Sequence, residues 1–199
     1  VVNAATVLSL AARDPVSGQA ASGVKETLLR IRSSTSEAAG FQPADSSFAL
    51  PGPDGLKIVE FFSRDNVLNQ EAVSSVAFTL DGTKPELALL SPASDSVGIC
   101  SAVEGTVEVM GTIRDAHLRE FRLEAAPGKN AVVGFVLISS GAVSISSGVL
   151  GIWRTADLAG FHTLRLTALD AVENRSALTL NVFIGDPARL LVLGNRDSL

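Results

Sequence analysis

Few residues of this 199-residue chain could act as acid, base, nucleophile or metal ligand, and they lie far apart. His117 and His162 are its only histidines and Cys100 its only cysteine. Neither histidine has a second ligand at metal spacing, and no serine sits in a Gly-x-Ser-x-Gly turn. Gly148-Val-Leu-Gly151 is too short to cradle a phosphate. Each histidine therefore reads as structural. Cys100 reads as a small buried hydrophobe and excludes an internal disulfide. No catalytic constellation assembles from this set, and a non-enzyme is expected.

The acidic residues recur in a pattern. Gly55, Asp65 and Asn69 reappear as Gly160, Asp170 and Asn174, each 105 residues on (55 to 160, 65 to 170, 69 to 174). Around them lie two similar stretches, residues 55–80 and 160–184. Each reads as a strand, a tight acidic loop and a second strand. In the later copy Leu164, Leu166 and Ala168 face one way and Thr163, Arg165 and Thr167 the other, with Leu178, Leu180, Val182 and Ile184 on one face of the return strand. In the earlier copy Val59, Phe61 and Ser63 match Val76, Phe78 and Leu80. Leu80 and Ile184 are 104 apart rather than 105, so the first copy carries one extra loop residue. Phe62 falls on the opposite face from Phe61 and reads as edge or interdomain packing.

Fixed-period similarity makes the chain one unit used twice. Each unit is a series of short strands broken by Gly, Pro, Ser and Asn, which predicts an all-β chain of two tandem Ig-like antiparallel β-sandwiches. The expected domains are residues 1–83, with its first strand missing or upstream, residues 84–187, and a C-terminal strand or the start of a further module at 188–199. The boundary Asp81-Gly-Thr-Lys-Pro85 is short and contains proline, so it should be semi-rigid. Within the units, strands are expected over residues 6–12, 26–32, 47–50, 86–91, 105–113, 118–125, 132–139 and 142–150. A short edge strand is expected near Phe41, and Trp153 as core packing on the approach to the last hairpin.

The run Gly148-Val-Leu-Gly-Ile-Trp153, then Gly160, then Thr163-Leu-Arg-Leu-Thr-Ala-Leu-Asp170 and Asn174, resembles bacterial Ig-like or fibronectin-III-like repeats of exported multidomain proteins. The first copy resembles a sister type through Ala12-Arg-Asp-Pro-Val-Ser-Gly18, Ala21-Ser-Gly-Val-Lys25 and residues 61–69. The resemblance covers roughly residues 6–186 and implies an extracellular or cell-surface location. The chain departs from the family where His162 replaces the usual tyrosine of Gly-x-Tyr. With no tyrosine anywhere, no tyrosine corner can form.

In such a sandwich the loops after the second and sixth strands share a pole. That pole gathers Asp115, Asp170 and Glu173 in the second unit, and the linker bearing Asp81 arrives there; Asp14, Asp65, Asn66 and Asn69 gather in the first. Calcium takes six to eight oxygens, so Asp81, Asp115, Asp170 and Glu173 are the candidate metal ligands. The competing reading, with Asp and Asn capping turns and pairing with Arg64, Lys84 and Arg114, weighs more.

A net charge of −5, with the 16 basic residues scattered, argues against nucleic acid as a partner. No apolar run reaches the ~20 residues needed to span a bilayer. The chain starts at Val1 without a signal peptide and reads as processed or excised. Protein–protein contacts with neighbouring modules or other copies are expected, in a structural or adhesive role. Residues 188–193 form an apolar strand with two readings, the start of a following module or a donated strand. In the second, Leu190, Leu191, Val192 and Leu193 complete the open edge near Val1 of a neighbouring copy, making the chain a filament subunit. A further alternative is an accessory glycan-binding module beside an enzyme.

Overall fold

The computed structural model describes residues 1–14, 21–33, 40–92 and 102–185. Cys100, the end of the second unit at Asp186-Pro187 and residues 190–193 lie outside them. The chain divides into two compact units, Val1–Thr83 and Lys84–Leu199. Every element described is a β-strand.

In unit 1 the strands are β1 (Val7–Ser9), β2 (Val24–Ser33), β3 (Gln42–Pro43), β4 (Ser47–Ala49), β5 (Gly55–Asp65) and β6 (Ser74–Leu80). They form a four-stranded sheet in the order β3-β2-β5-β6 and a two-stranded sheet β1-β4. Leu50, Val59 and Leu80 are buried between the sheets, with Leu8, Ile31, Phe48, Phe61 and Phe78 partly buried around them. The strand expected over residues 6–12 shrinks to three residues. β3 takes the place of the edge strand expected near Phe41.

Unit 2 contains β7 (Glu86–Ser91), β8 (Ala102–Val103), β9 (Thr106–Arg114), β10 (Leu118–Pro127), β11 (Val136–Gly141), β12 (Ile145–Arg154), β13 (Gly160–Asp170) and β14 (Arg175–Ile184). One sheet runs β11-β10-β13-β14-β8 and the other β12-β9-β7. Neighbours are antiparallel except β14 with β8. This is an Ig-like sandwich. Its core takes Val109, Ile113, Phe121, Leu123, Leu150, Trp153, Leu164, Leu166, Val182 and Ile184 from alternating positions of both sheets.

Three local expectations change. Trp153 is buried as core, as expected, but it lies inside β12, opposite Val107 of β9, because that strand runs on to Arg154 instead of ending at residue 150. β11 starts at Val136 rather than at residue 132. The chain before it folds over the outer face of the five-stranded sheet, where the Ala131 N–H donates to the Thr163 hydroxyl (3.0 Å), the Asn130 N–H donates to Asn181 Oδ1 (2.8 Å) and Arg165 covers the Phe135 ring at 3.5 Å. Thr163, predicted to point away from the core, is buried under this cover, and Thr167 on the same face is buried as well. Third, Phe62 packs within unit 1, against the segment that carries edge strand β3. It is 5 % exposed because Phe41 packs edge-on against it, with ring centres 4.8 Å apart, and Arg64 lies over it at 5.4 Å.

His162 takes up the position of the missing tyrosine on the core face of β13. It is buried and meets Trp153 edge-to-face at 5.9 Å. An aromatic pair of this kind replaces a hydrogen-bonded corner with ring packing.

Unit 1 holds three carboxyls below their ordinary values. The Arg30 guanidinium hydrogen-bonds Glu60 and lowers it against the cost of desolvation, with further help from the charges of Arg30 and Arg32. The Thr83 hydroxyl and the Gly82 amide lower Asp54. At Asp65 desolvation pushes upward, but the bonds from Asn69, Ser22 and Val67 outweigh it. A carboxyl lowered by folding adds stability that is present above its ordinary value and lost as pH falls through its folded value. Unit 1 should therefore lose stability as pH falls through and below the ordinary carboxylate range. Followed by circular dichroism, Glu60→Gln should be less stable at neutral pH and show a flatter acid dependence. Trp153, the single tryptophan and a unit 2 residue, should report no change.

Candidate functional site

The repeated Gly, Asp and Asn build the same object twice. Gly55 opens β5 with φ +121° and Gly160 opens β13 with φ +78°, left-handed backbone that favours glycine. At the far end of each strand the aspartate closes the turn. Asp65 Oδ1 accepts the N–H groups of Val67 (2.9 Å) and Asn69 (2.8 Å), and its Oδ2 accepts the Asn69 side-chain amide (2.7 Å). Asp170 Oδ1 accepts the N–H groups of Val172 (2.9 Å) and Asn174 (2.8 Å), and its Oδ2 accepts the Asn174 amide (2.7 Å). The backbone repeats as well: Asp65 N–H to Asn69 C=O and Asp170 N–H to Asn174 C=O are both 3.1 Å. The residue before each asparagine is forced to positive φ, Leu68 at 70° and Glu173 at 70°.

The extra residue of the first copy is therefore not in the tight loop. Arg64 bridges Gln70 as Leu169 pairs with Arg175, but Phe61 pairs with Ser74 where Leu166 pairs with Leu178. The insertion falls among residues 71–73, on the way into β6. Because it precedes the regular part of that strand, the inward phase of Phe78 and Leu80 survives.

A second tie joins each loop to another loop of its unit, the one between β1 and β2 in unit 1 and the one between β9 and β10 in unit 2. In unit 1 Asp14 Oδ2 accepts the Gly23 N–H (2.7 Å) and the Ser22 hydroxyl (3.1 Å), and the Asn66 N–H donates to the Gly23 carbonyl (3.0 Å). In unit 2 Asp115 Oδ1 accepts the His117 N–H (2.7 Å), and the Ala171 N–H donates to the His117 carbonyl (2.9 Å). His117 is thus anchored through its backbone. These four aspartates serve backbone amides, the turn-cap chemistry of short acidic side chains.

The four candidate calcium ligands stand as follows. A carboxylate oxygen of Asp115 lies within 4.8 Å of one from Asp170, and Asp170 is fully buried. Glu173 is turned outward, 3.5 Å from Arg119, with both side chains more than half exposed. Asp81 belongs to unit 1, where its Oδ1 accepts the Thr83 N–H at 3.2 Å. Around Asp65 lies a shallow cleft of about 250 Å³ lined by Arg13, Asp14, Arg64, Asn69 and Glu71 among others. The basic and acidic groups there are interleaved, so the cleft offers no field of one sign.

Sequence reasoning missed two features of these loops. The cover of residues 128–135 over β13 could not be read, because it depends on Thr163 and Asn181, which are distant in sequence. The Asp54 tie to Gly82 and Thr83 was also missed, since it joins a turn to a strand end 28 residues later.

Strand order and repeated turns define the class: the chain is a tandem of Ig-like β-sandwich units. No family model matches it, and no curated protein matches it. Among solved structures it is similar to the fibronectin(III)-like modules of Clostridium thermocellum CbhA, at 14% identity and a TM-score of 0.42, with 95% of this chain and 90% of that chain covered. It is also similar to a tetra-tandem repeat in the extending region of a large adhesion protein, at 20% identity and a TM-score of 0.34; there the match spans 80% of this chain and 41% of the other.

Replacing Asp170 by Ala removes a fully buried acceptor and strands two half-buried backbone donors and one side-chain amide. It should destabilise unit 2 by about 3 kcal/mol. Asp65→Ala, in the more exposed copy, should cost clearly less, because water can replace the lost acceptor. Urea unfolding followed by Trp153 fluorescence should move for Asp170→Ala and stay unchanged for Asp65→Ala.

Proposed function

We propose that the chain is a non-catalytic structural or adhesive module of an extracellular or cell-surface protein, with two units bearing load in series along the chain. The observation that carries this reading is the role of the acidic loop residues. In both units Asp14, Asp65, Asp115 and Asp170 accept hydrogen bonds from their own or neighbouring loop backbone, which stiffens the turns joining the strands. Polar side chains used this way serve rigidity. A short connection between Leu80 and Glu86 that includes Pro85 suits a load-bearing tandem.

Partners would meet the module at exposed edges. The segment ahead of edge strand β11 presents Val132 and Val133, 83% and 78% exposed, and Val136 within β11 is 69% exposed. Adjacent exposed apolar residues in and just ahead of a strand that ends its sheet among the described residues favour protein contact.

Calcium stands as a second part of the proposal, favoured by the close approach of the Asp115 and Asp170 carboxylates. A divalent cation would relieve their like charge, and Glu173 on the same loop is a further oxygen donor once released from Arg119.

Pulling the chain by its ends in a single-molecule force experiment tests the mechanical reading. Two discrete unfolding events, the stronger from unit 2 with its larger core, are expected. Smooth extension without events would contradict it. For calcium, the melting temperature of the parent should rise with Ca²⁺ and that of Asp170→Ala should not; identical behaviour with and without Ca²⁺ in both proteins removes the metal from the proposal.

A further inference from the structure

The segment that lies over β13 reaches along its outer face as far as Arg165, which covers the Phe135 ring at 3.5 Å. Past Arg165 the same face opens into a shallow cleft of about 150 Å³, lined by Glu120, Arg122, Thr167, Ala168, Leu169 and Arg175. Strand register builds its walls. In β10, Arg122 pairs with Thr167 and Glu120 with Leu169; in β14, Arg175 pairs with Leu169 from the other side. Directly opposed residues share a face of the sheet, so these side chains rise on either side of β13. Thr167 is only 7% exposed, and its hydroxyl has no hydrogen-bond partner among the described residues. No sealed-off side-chain oxygen or nitrogen is left unpaired there, so this hydroxyl opens into the cleft.

The charges around it are unevenly matched. Arg165 donates twice to one oxygen of Glu124, at 3.1 and 2.8 Å, and so answers that carboxylate. Arg122 reaches only the other oxygen of the same group, at 3.5 Å. Arg175 makes no ion pair among the described residues, and neither does Glu120. Two guanidinium groups against the one carboxylate of Glu120 leave the cleft a positive charge to spare, on a protein of net charge −5. A guanidinium fork matches the planar carboxylate. Glu120 on the rim opposes a doubly charged phosphate but can accept an N–H. Leu137 pairs with Glu124, so it lies on the same face, and it is 47% exposed. No aromatic ring is widely exposed among the described residues, so the face offers a sugar no stacking platform.

We propose that this cleft is a docking site for an acidic segment of a partner protein. A side-chain carboxylate of the partner sits between the Arg122 and Arg175 guanidinium groups and accepts the Thr167 hydroxyl. Glu120 takes a backbone N–H of the same segment, and an apolar neighbour lies on Leu137. The contact rests on the reading of this chain as a module that meets proteins, and it names the chemistry of one such meeting. Arg122 carries the carboxylate toward the strand β11 side of the sheet, where Ser140 pairs with it, so the site runs on into the exposed apolar stretch around Val136. Charge gives such a contact its selectivity and its salt dependence, and the apolar neighbour adds area.

The test is an NMR titration of the full chain with the peptide acetyl-Leu-Glu-Leu-Glu-Leu-amide, its uncharged counterpart acetyl-Leu-Gln-Leu-Gln-Leu-amide, and polygalacturonate. The expected result is a saturable shift of the Thr167, Leu169 and Arg175 amide signals with the Glu peptide, reversed by high salt and absent with the Gln peptide. Affinity should fall about tenfold in Arg175→Ala, the loss of one charge-assisted contact. It should fall in Thr167→Val as well. Urea unfolding of Arg175→Ala, followed by Trp153 fluorescence, should match the parent and show unit 2 intact. No saturable shift with any of these probes overturns the site while leaving the force-bearing reading intact. Equal binding of the Gln peptide, or an affinity unmoved in Arg175→Ala, overturns the carboxylate contact. Saturation by polygalacturonate alone overturns the protein partner, since an acidic sugar would then be the occupant.

Discussion

A single carboxylate holds each last hairpin in register. The loop from Asp65 to Asn69, like that from Asp170 to Asn174, bends the chain back within four residues and puts one non-glycine residue at φ 70°. Left alone, such a bend strands its amides and costs backbone strain. The aspartate offsets both by taking two amides on one oxygen and the asparagine side chain on the other. With the loop locked, β5 against β6 and β13 against β14 are set in register. Every inward residue of the four strands follows from that register.

From this hairpin the rest of unit 2 assembles outward. β13 is the central strand of its sheet, with β10 on one side and β14 on the other. Its core face carries His162, Leu164, Leu166 and Ala168. Its outer face is covered in turn, since Arg165 donates twice to Glu124 (3.1 and 2.8 Å) and lies over Phe135. An arginine held this way lets a charged residue sit on a sheet face largely shielded from water, with its carboxylate partner nearly buried. Unit 1 has the same hairpin but less around it. On its outer face Phe41, Phe62 and Arg30 form a small stack, with Arg30 4.4 Å from the Phe41 ring. Among the described residues its second sheet consists of β1 and β4.

Much of this was legible before any coordinates. The repeated Gly, Asp and Asn announced two copies of one hairpin, and alternation over residues 160–184 placed Leu164, Leu166 and Val182 in the core, where they are. The aspartates were also legible as turn caps, because a short acidic side chain in a tight loop finds its own backbone first. What could not be read depends on residues far apart in sequence. The extra loop residue was legible, but its place after the Asp65–Asn69 turn was not, because the bonds that fix that turn are invisible without geometry. Parity put Phe62 on the face opposite Phe61 as edge or interdomain packing, but its partner Phe41 could not be named, because it comes from a segment with little strand signal. β11 looked four residues longer because the apolar run at 132–135 has strand composition, while the cap by Thr163 and Asn181 draws the chain just ahead of it across the sheet.

The central claim is that the two aspartates lock the repeated hairpins, and amide hydrogen exchange tests it most directly. The N–H groups of Val67, Asn69, Val172 and Asn174 should exchange far more slowly than ordinary loop amides, with the pair in the buried Asp170 loop slowest of the four. Exchange of all four at the rates of an unstructured chain would contradict the account, because the carboxylates would then be holding nothing.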